Sequence, residues 1–404
     1  MKVLYLSSVL PKRSETFVYK EVLGLRALGL DVGVASLYPP EKNLGEPALD
    51  AMAADAVTVY EGGHVRLVRD ALAYFFRHPL RAAAAMALAK WDALTADDIR
   101  LRDRPKIIFQ GLAGLALARR VEGGGHARLH VHMAHAAATV GMYAARALGI
   151  PFSFTGHAAD LFRERCLLKQ KLRRAAFVAC ISEWHREWYR TIFDRPHSDY
   201  PVIRCGVDVP DAPFAARSEP PLRLLGLGRL VPKKGFDVLI GACRILADEG
   251  IALECVIAGD GPEMENLKSL AAGLPPACAV TFPGAVANRD VPALLASTDV
   301  FVLPCQICND GDRDGIPVVL MEAMAHGVCS VSGDLPTIRE LIADGTTGCL
   351  VPPGDSHTLA DRLRMLALDP ARRQNLADAG RTRVQEEFSS EKNLARILSA
   401  FDRR

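Results

Sequence analysis

The chain has 404 residues, 50% of them hydrophobic, which is too long for one ordinary core and predicts two domains. No apolar run reaches the ~18 residues that a spanning helix needs, which excludes an integral helical membrane protein. The ten cysteines are scattered through the chain, which fits buried reduced thiols rather than a disulfide framework.

Net charge is +2, but it is unevenly spread. Residues 1–212 carry 29 Lys and Arg against 22 Asp and Glu, a net +7. Residues 213–404 carry 20 against 25, a net −5. A basic first half suits an anionic neighbour, such as a membrane surface, a lipid-linked phosphate or a nucleic acid; chance variation in surface charge accounts for it equally well.

Residues 2–7 read as a first strand without the long apolar core of a signal peptide, so a cytoplasmic chain is expected. The loop that follows carries Ser14, Glu15 and Thr16 and turns into a helix reaching about Leu28. Residues 31–37 are strand-like again. This β–loop–α–β opening starts a doubly wound sheet, and its first loop lies where such folds bind ligands. Residues 64–121 are helical and basic. There Leu67, Val68, Leu72, Phe75 and Phe76 mix with Arg66, Arg69, Arg77 and Arg81. The pattern fits a helix packed on the sheet with a solvated basic face; a membrane-facing helix with Tyr74, Phe75 and Phe76 as anchors is the alternative.

Strands are expected at 129–133, 152–155, 177–181 and 201–204, with helices at 134–148 and 183–193. His130 and His132 share one face of their strand. With no carboxylate or cysteine close by in sequence, structural histidines are expected there rather than a zinc site. The strand at 152–155 runs into Gly156, His157 and, further on, Asp160. The proline-rich stretch 208–221 reads as an interdomain linker.

A second β/α alternation follows, with strands at 222–227, 253–258, 280–283, 300–303, 329–331 and 349–351, and helix over 371–401. Its strand ends carry the chemistry. Arg229 and Lys234 suit a diphosphate, and Gly259 and Gly261 permit close backbone approach. The acidic loop 310–316 opens a helix at Pro317 that ends at Gly327. That helix end offers free N–H groups to a phosphate. Asp314 and Glu322 lie eight positions apart and could receive sugar and ribose hydroxyls. Asp312 and Asp314 could instead hold Mg²⁺ or Mn²⁺. Cys305 and Cys308 have redox or zinc spacing but lack a second pair, so a plain loop thiol pair is expected.

Gly228-Arg229-Leu230, Lys234-Gly235, Gly259-Asp260-Gly261-Pro262, Asp314-Gly315, Glu322-Ala323-Met324-Ala325 and Gly327, in this order and spacing, resemble the donor half of the retaining GT-B glycosyltransferases of family 4. Ser14-Glu15-Thr16-Phe17, His130-Val131-His132, Thr155-Gly156-His157 and Gly206-Val207-Asp208 look like the branch that builds bacterial exopolysaccharides of the colanic-acid kind. The resemblance implies two Rossmann-like doubly wound α/β domains facing a cleft. The first, 1–212, would bind the acceptor and the second, 213–385, the nucleotide sugar. Residues 386–404 would form a helix packing back on the first. It implies that Gly228, Arg229, Lys234, Gly259, Gly261, Gly315, Ile316, Pro317 and Glu322 line the donor. Asp314 would contact the transferred sugar, and His157 would lie near the reacting carbon. Ser14, Glu15, Thr16, His132 and Asp160 would stand on the acceptor side. The family motif usually has Glu at both ends of its seven-residue gap, whereas here the first is Asp314, one methylene shorter.

The expected reaction is transfer of a hexose from a UDP- or GDP-sugar to a lipid-linked oligosaccharide, without a metal or other cofactor and without nucleic acid. Peripheral contact with the inner face of the cell membrane would go through the first domain. A nucleotide-sugar epimerase and a non-catalytic nucleotide-sugar-binding subunit share the architecture and are the alternatives.

Overall fold

The computed structural model describes residues 1–42, 44–157, 166–214, 219–275 and 278–403. It divides into two units, Met1–Arg204 with Leu394–Arg404, and Cys205–Asn393.

The first unit holds strands β1 (Lys2–Ser7), β2 (Asp31–Ser36), β3 (Val57–Thr58), β4 (Arg128–His132), β5 (Phe152–Gly156) and β6 (Val178–Cys180). Its helices are α1 (Thr16–Ala27), α2 (Pro47–Asp55), α3 (Gly63–Arg77), α4 (Pro79–Thr95), α5 (Arg104–Val121), α6 (Ala136–Leu148), α7 (Leu168–Arg174) and α8 (Glu183–Ile192). The sheet is parallel throughout, in the order β3-β2-β1-β4-β5-β6. Helices cover both faces, so successive residues of one strand enter different cores. Val3 and Tyr5 join Val32 and Val34 on one side, while Leu4 and Leu6 join Leu129 and Val131 on the other.

The second unit holds β7 (Leu222–Leu227), β8 (Leu253–Ala258), β9 (Cys278–Gly284), β10 (Val300–Leu303), β11 (Cys329–Gly333) and β12 (Cys349–Val351). Its helices are α9 (Phe236–Asp248), α10 (Met264–Ala271), α11 (Val291–Ala296), α12 (Val318–Ala325), α13 (Ser356–Leu368) and α14 (Pro370–Glu387). The order β12-β11-β10-β7-β8-β9 repeats the plan of the first sheet, again all parallel. The final helix α15 (Ser390–Asp402) brings Ile397 and Phe401 into the first unit's core, where the Phe401 ring lies 6.4 Å from that of Tyr5.

Three local expectations change. The helical stretch 64–121 is three helices, broken where Pro79 and Pro105 open new ones. Residues 201–204 contribute one bridge, Cys180 to Val202, in place of a strand. The linker stretch is fastened to the second unit: the buried Arg381 donates to the Pro210 and Asp211 carbonyls, and Phe214 stacks on His326 at 4.8 Å.

In each sheet the chain reverses direction of travel, between β1 and β4 and between β7 and β10. Loops from those neighbouring strands part there and leave a crevice beyond their carboxyl ends. In the second unit the crevice floor is tied by backbone. Gly235 has φ +69°, and a Cβ there would sit 2.0 Å from the Pro304 carbonyl oxygen, so the β7 and β10 loops meet only because this residue has no side chain. Gly235→Ala should therefore cost about 1–3 kcal/mol, read as a shift in the denaturation midpoint of the whole chain. A change within about 0.5 kcal/mol would show that the loops part without strain.

Candidate active site

Two lysines leave the end of β7 and two aspartates follow β10, on either side of the second crevice. Lys234 Nζ lies 2.8 Å from Asp314 Oδ2, and Lys233 Nζ lies 3.1 Å from Asp312 Oδ1 and 3.6 Å from Asp314 Oδ1. All four side chains are largely shielded from water. Burial alone would push the Asp314 carboxyl up, but Lys234 and Lys233 outweigh it and hold it below its ordinary value. Burial likewise works against the Lys234 charge, and Asp314 restores it and raises the ammonium pKa above the usual lysine value. Both partners are thus firmly ionised. The Cys305 thiol donates to Asp314 Oδ2 at 3.5 Å, and burial with that neighbouring carboxylate pushes its pKa far up.

Arg229 is exposed, close enough for its charge to be felt at Lys234. Lys234 runs its stem over Gly228, where a Cβ would lie 3.6 Å from Lys234 Cε. The space over Gly259 and Gly261 is taken by the β7 loop, since their Cβ positions fall 1.8 Å from the Gly228 carbonyl oxygen and 2.3 Å from that of Leu230. Gly315 is buried, and its carbonyl accepts from Thr337 Oγ1 at 2.9 Å. Ile316 is half-buried and Pro317 buried. Pro317 caps α12, so Asp314 lies outside the helix and Glu322, half-buried, lies within it. The first amides of α12 precede its first intrahelical bond and face outward from the helix end. With a lysine on each aspartate, Asp312 and Asp314 do not present the bare oxygen cluster a divalent cation needs.

The first unit's crevice carries a different chemistry. His132 hydrogen-bonds through Nδ1 to His157 Nε2 and through Nε2 to Glu21 Oε1, both at 3.1 Å. His130 engages the Ser153 and Thr155 hydroxyls at 2.9 and 3.0 Å. Tyr5 donates to Glu21 at 2.8 Å, and Phe17 stacks obliquely on His157 at 4.5 Å. Glu21 is the close carboxylate that sequence reasoning did not place beside these histidines. Glu21, His130 and His132 have potential ligand atoms within 4.8 Å of one another. All four nitrogens of His130 and His132 are nevertheless taken by hydrogen bonds, which accounts for the cluster without a metal. Burial drives the pKa of His130 and His157 well below the ordinary histidine value, and the neighbouring histidines add to it.

Glu15 pairs with Lys12 at 2.5 Å just ahead of α1, Thr16 opens that helix, and Ser14 is exposed beside them. Asp160 lies outside the described residues. Lys233 and Glu21 escaped sequence reasoning. A second lysine beside Lys234 was a visible signal; Glu21 gave none.

The family model for "Glycosyl transferases group 1" matches residues 211–383, and that for "Glycosyltransferase Family 4" matches residues 97–210. Among solved structures, Anabaena HepE in complex with UDP and glucose superposes with a TM-score of 0.67 at 18% identity over 100% of both chains. The fold is therefore the GT-B fold of glycosyltransferases. The amylovoran biosynthesis glycosyltransferase AmsK of Erwinia amylovora is 30% identical over 98% of this chain and 99% of its own. WcaL of Escherichia coli K12, named for colanic acid biosynthesis, is 36% identical over 51% of this chain and 52% of its own. The chain belongs to the family 4 glycosyltransferases.

The neutral histidines make a pH prediction. In the unfolded chain His130 and His157 protonate near pH 6.5, while in the folded unit their pKa lies well below that. The unfolded state therefore binds more protons below that pH, and stability falls as the solution is acidified. Unfolding free energies measured from pH 8 to 5 should be flat above about 6.5 and then fall by up to about 2.7 kcal/mol per pH unit, two protons' worth. A flat profile to pH 5 would mean that both rings are protonated in the fold.

Proposed function

We propose that the chain is a retaining hexosyltransferase, moving a sugar from a UDP- or GDP-linked donor to a lipid-linked oligosaccharide in exopolysaccharide synthesis. The observation that carries the reading is the shielded Lys234–Asp314 pair at the second crevice, with Arg229 exposed beside it. The relatives named for amylovoran and colanic acid synthesis support the polymer assignment.

Lys234 has three N–H donors, so it can keep Asp314 and still reach a diphosphate oxygen. As the glycosidic bond breaks, negative charge gathers on the departing diphosphate. Lys234, Arg229 and the first amides of α12 are the groups that would stabilise it. Asp314 is read as the acceptor for hydroxyls of the transferred sugar and Glu322 for those of the ribose. His157, kept neutral, is suited to hydrogen-bond a sugar hydroxyl without bringing charge to it. Because lysines already answer both aspartates, no metal is assigned, and the acceptor's lipid brings the first unit to the membrane face.

Screening nucleotide sugars for slow hydrolysis by the pure protein identifies the donor. With that donor, Lys234→Ala should slow turnover by about 30- to 150-fold, or about 2–3 kcal/mol. Arg229→Ala, at an exposed position that the fold does not need, should weaken turnover in the same direction. Unchanged kinetics in both variants, or free epimerised sugar released without acceptor, would overturn the reading.

Activity is also expected to survive EDTA. A loss restored only by Mg²⁺ or Mn²⁺ would make Asp312 and Asp314 metal ligands.

A further inference from the structure

Helix α3 has two apolar stripes. Leu67, Ala71 and Tyr74 are buried, and the Tyr74 hydroxyl donates to the Ala147 carbonyl at 2.8 Å, so Tyr74 is not the surface anchor the sequence suggested. On another side Val65, Val68, Leu72 and Phe76 recur at helical spacing and face solvent, Val65 at 85% and Phe76 at 78% exposure. Helix α4 repeats the arrangement. It buries Ala82, Ala85, Ala89 and Ala93 and exposes Leu80, at 86%, with Trp91 and Leu94. Exposed apolar rows of this length are uncommon on a surface that meets only water.

Beside the end of the α3 stripe lies a cavity of about 570 Å³ lined by Tyr74, Arg77, His78, Arg81, Arg119 and Glu122, among others. Glu122 is its one lining carboxylate, held by Arg119 at 2.6 Å, His78 at 3.2 Å and Arg77 at 3.6 Å. Arg81 has no carboxylate partner among the described residues. Three arginines around one carboxylate leave the cavity cationic. In sequence Phe76 adjoins Arg77 and Leu80 adjoins Arg81, so the apolar surface ends where the cationic cavity begins.

We propose that the outer faces of α3 and α4 dock on an anionic lipid bilayer, and that a lipid phosphate seats in this cavity. The proposal deepens the membrane-linked acceptor of the reading above and gives it a surface. An apolar stripe flanked by arginines sinks into the headgroup boundary and draws anionic lipid to it. A second copy of the chain is a poorer occupant, because a two-fold contact would set arginine flank against arginine flank. A phosphate in the cavity answers the excess of guanidinium over carboxylate with bidentate hydrogen bonds.

The test is flotation of the full chain with phosphatidylcholine vesicles, with and without phosphatidylglycerol, at low and high salt. The protein should float only with the anionic vesicles and leave them at high salt. Phe76→Ser with Leu80→Ser should cut partitioning at least tenfold. Arg81→Ala should cut it several-fold more than Arg66→Ala, which removes the same charge from an arginine paired with Glu61 outside the cavity. Equal losses from the two would overturn the seated phosphate. Failure of the unmodified chain to float, or self-association that the Phe76→Ser, Leu80→Ser variant abolishes, would overturn the docking surface. Donor hydrolysis in solution, measured on every variant, should stay unchanged. If hydrolysis is absent from the unmodified chain while flotation holds, the transferase reading fails and the surface stands.

Discussion

Lys234 and Asp314 arrive from loops that leave adjacent parallel strands in opposite directions, and they meet in a place that water barely reaches. Neither charge is tolerable there alone; removing one partner of such a pair typically costs about 3–5 kcal/mol, because the other is left buried and unanswered. The pair thereby links the end of β7 to the end of β10, and Lys233 with Asp312 repeats the link alongside. Arg229, the amides of α12 and Glu322 all take their positions from these two loops. A site built this way is largely assembled before any ligand arrives.

The first unit uses the same strand order for a contrasting purpose. At its crevice the described residues gather rings, hydroxyls and the Glu21 carboxylate, with His130 and His157 held uncharged. In the proposed function the charged cluster would meet the leaving diphosphate and the neutral one a sugar hydroxyl. One topology, used twice, supplies each kind of surface. The difference lies in the side chains gathered at the two crevices, which in the first unit come mainly from the strands themselves and from α1.

Much of this was legible in the sequence because its signals are local. Apolar runs such as 300–303 mark strands, and Pro317 and Gly327 bracket a helix whose two ends fall where expected. Lys234 and Asp314 stood out because each lies in the loop between a strand and the helix that follows it. What escaped was long-range. Glu21 reaches His132 across 111 residues, and no pattern in either segment announces the other. Lys171 is fully buried with its ammonium on the carbonyls of Ala134, His135 and Cys166, contacts that its neighbours in sequence do not announce. Tyr74 and Phe76 are two positions apart and equally aromatic. Only packing against α5 and α6 decides that one is core and the other surface.

Cys305 follows from the same geometry. Its spacing from Cys308 looks like that of a redox pair, yet its thiol donates a hydrogen bond to Asp314 and lies in the dry floor of the crevice. A thiolate there would stand against a carboxylate with no solvent to carry the charge, so the thiol form is locked in. Peroxide and alkylating reagents attack thiolates, and they find almost none at this sulfur. The second unit's crevice can therefore carry a cysteine against its central carboxylate and remain indifferent to the oxidising swings of its surroundings.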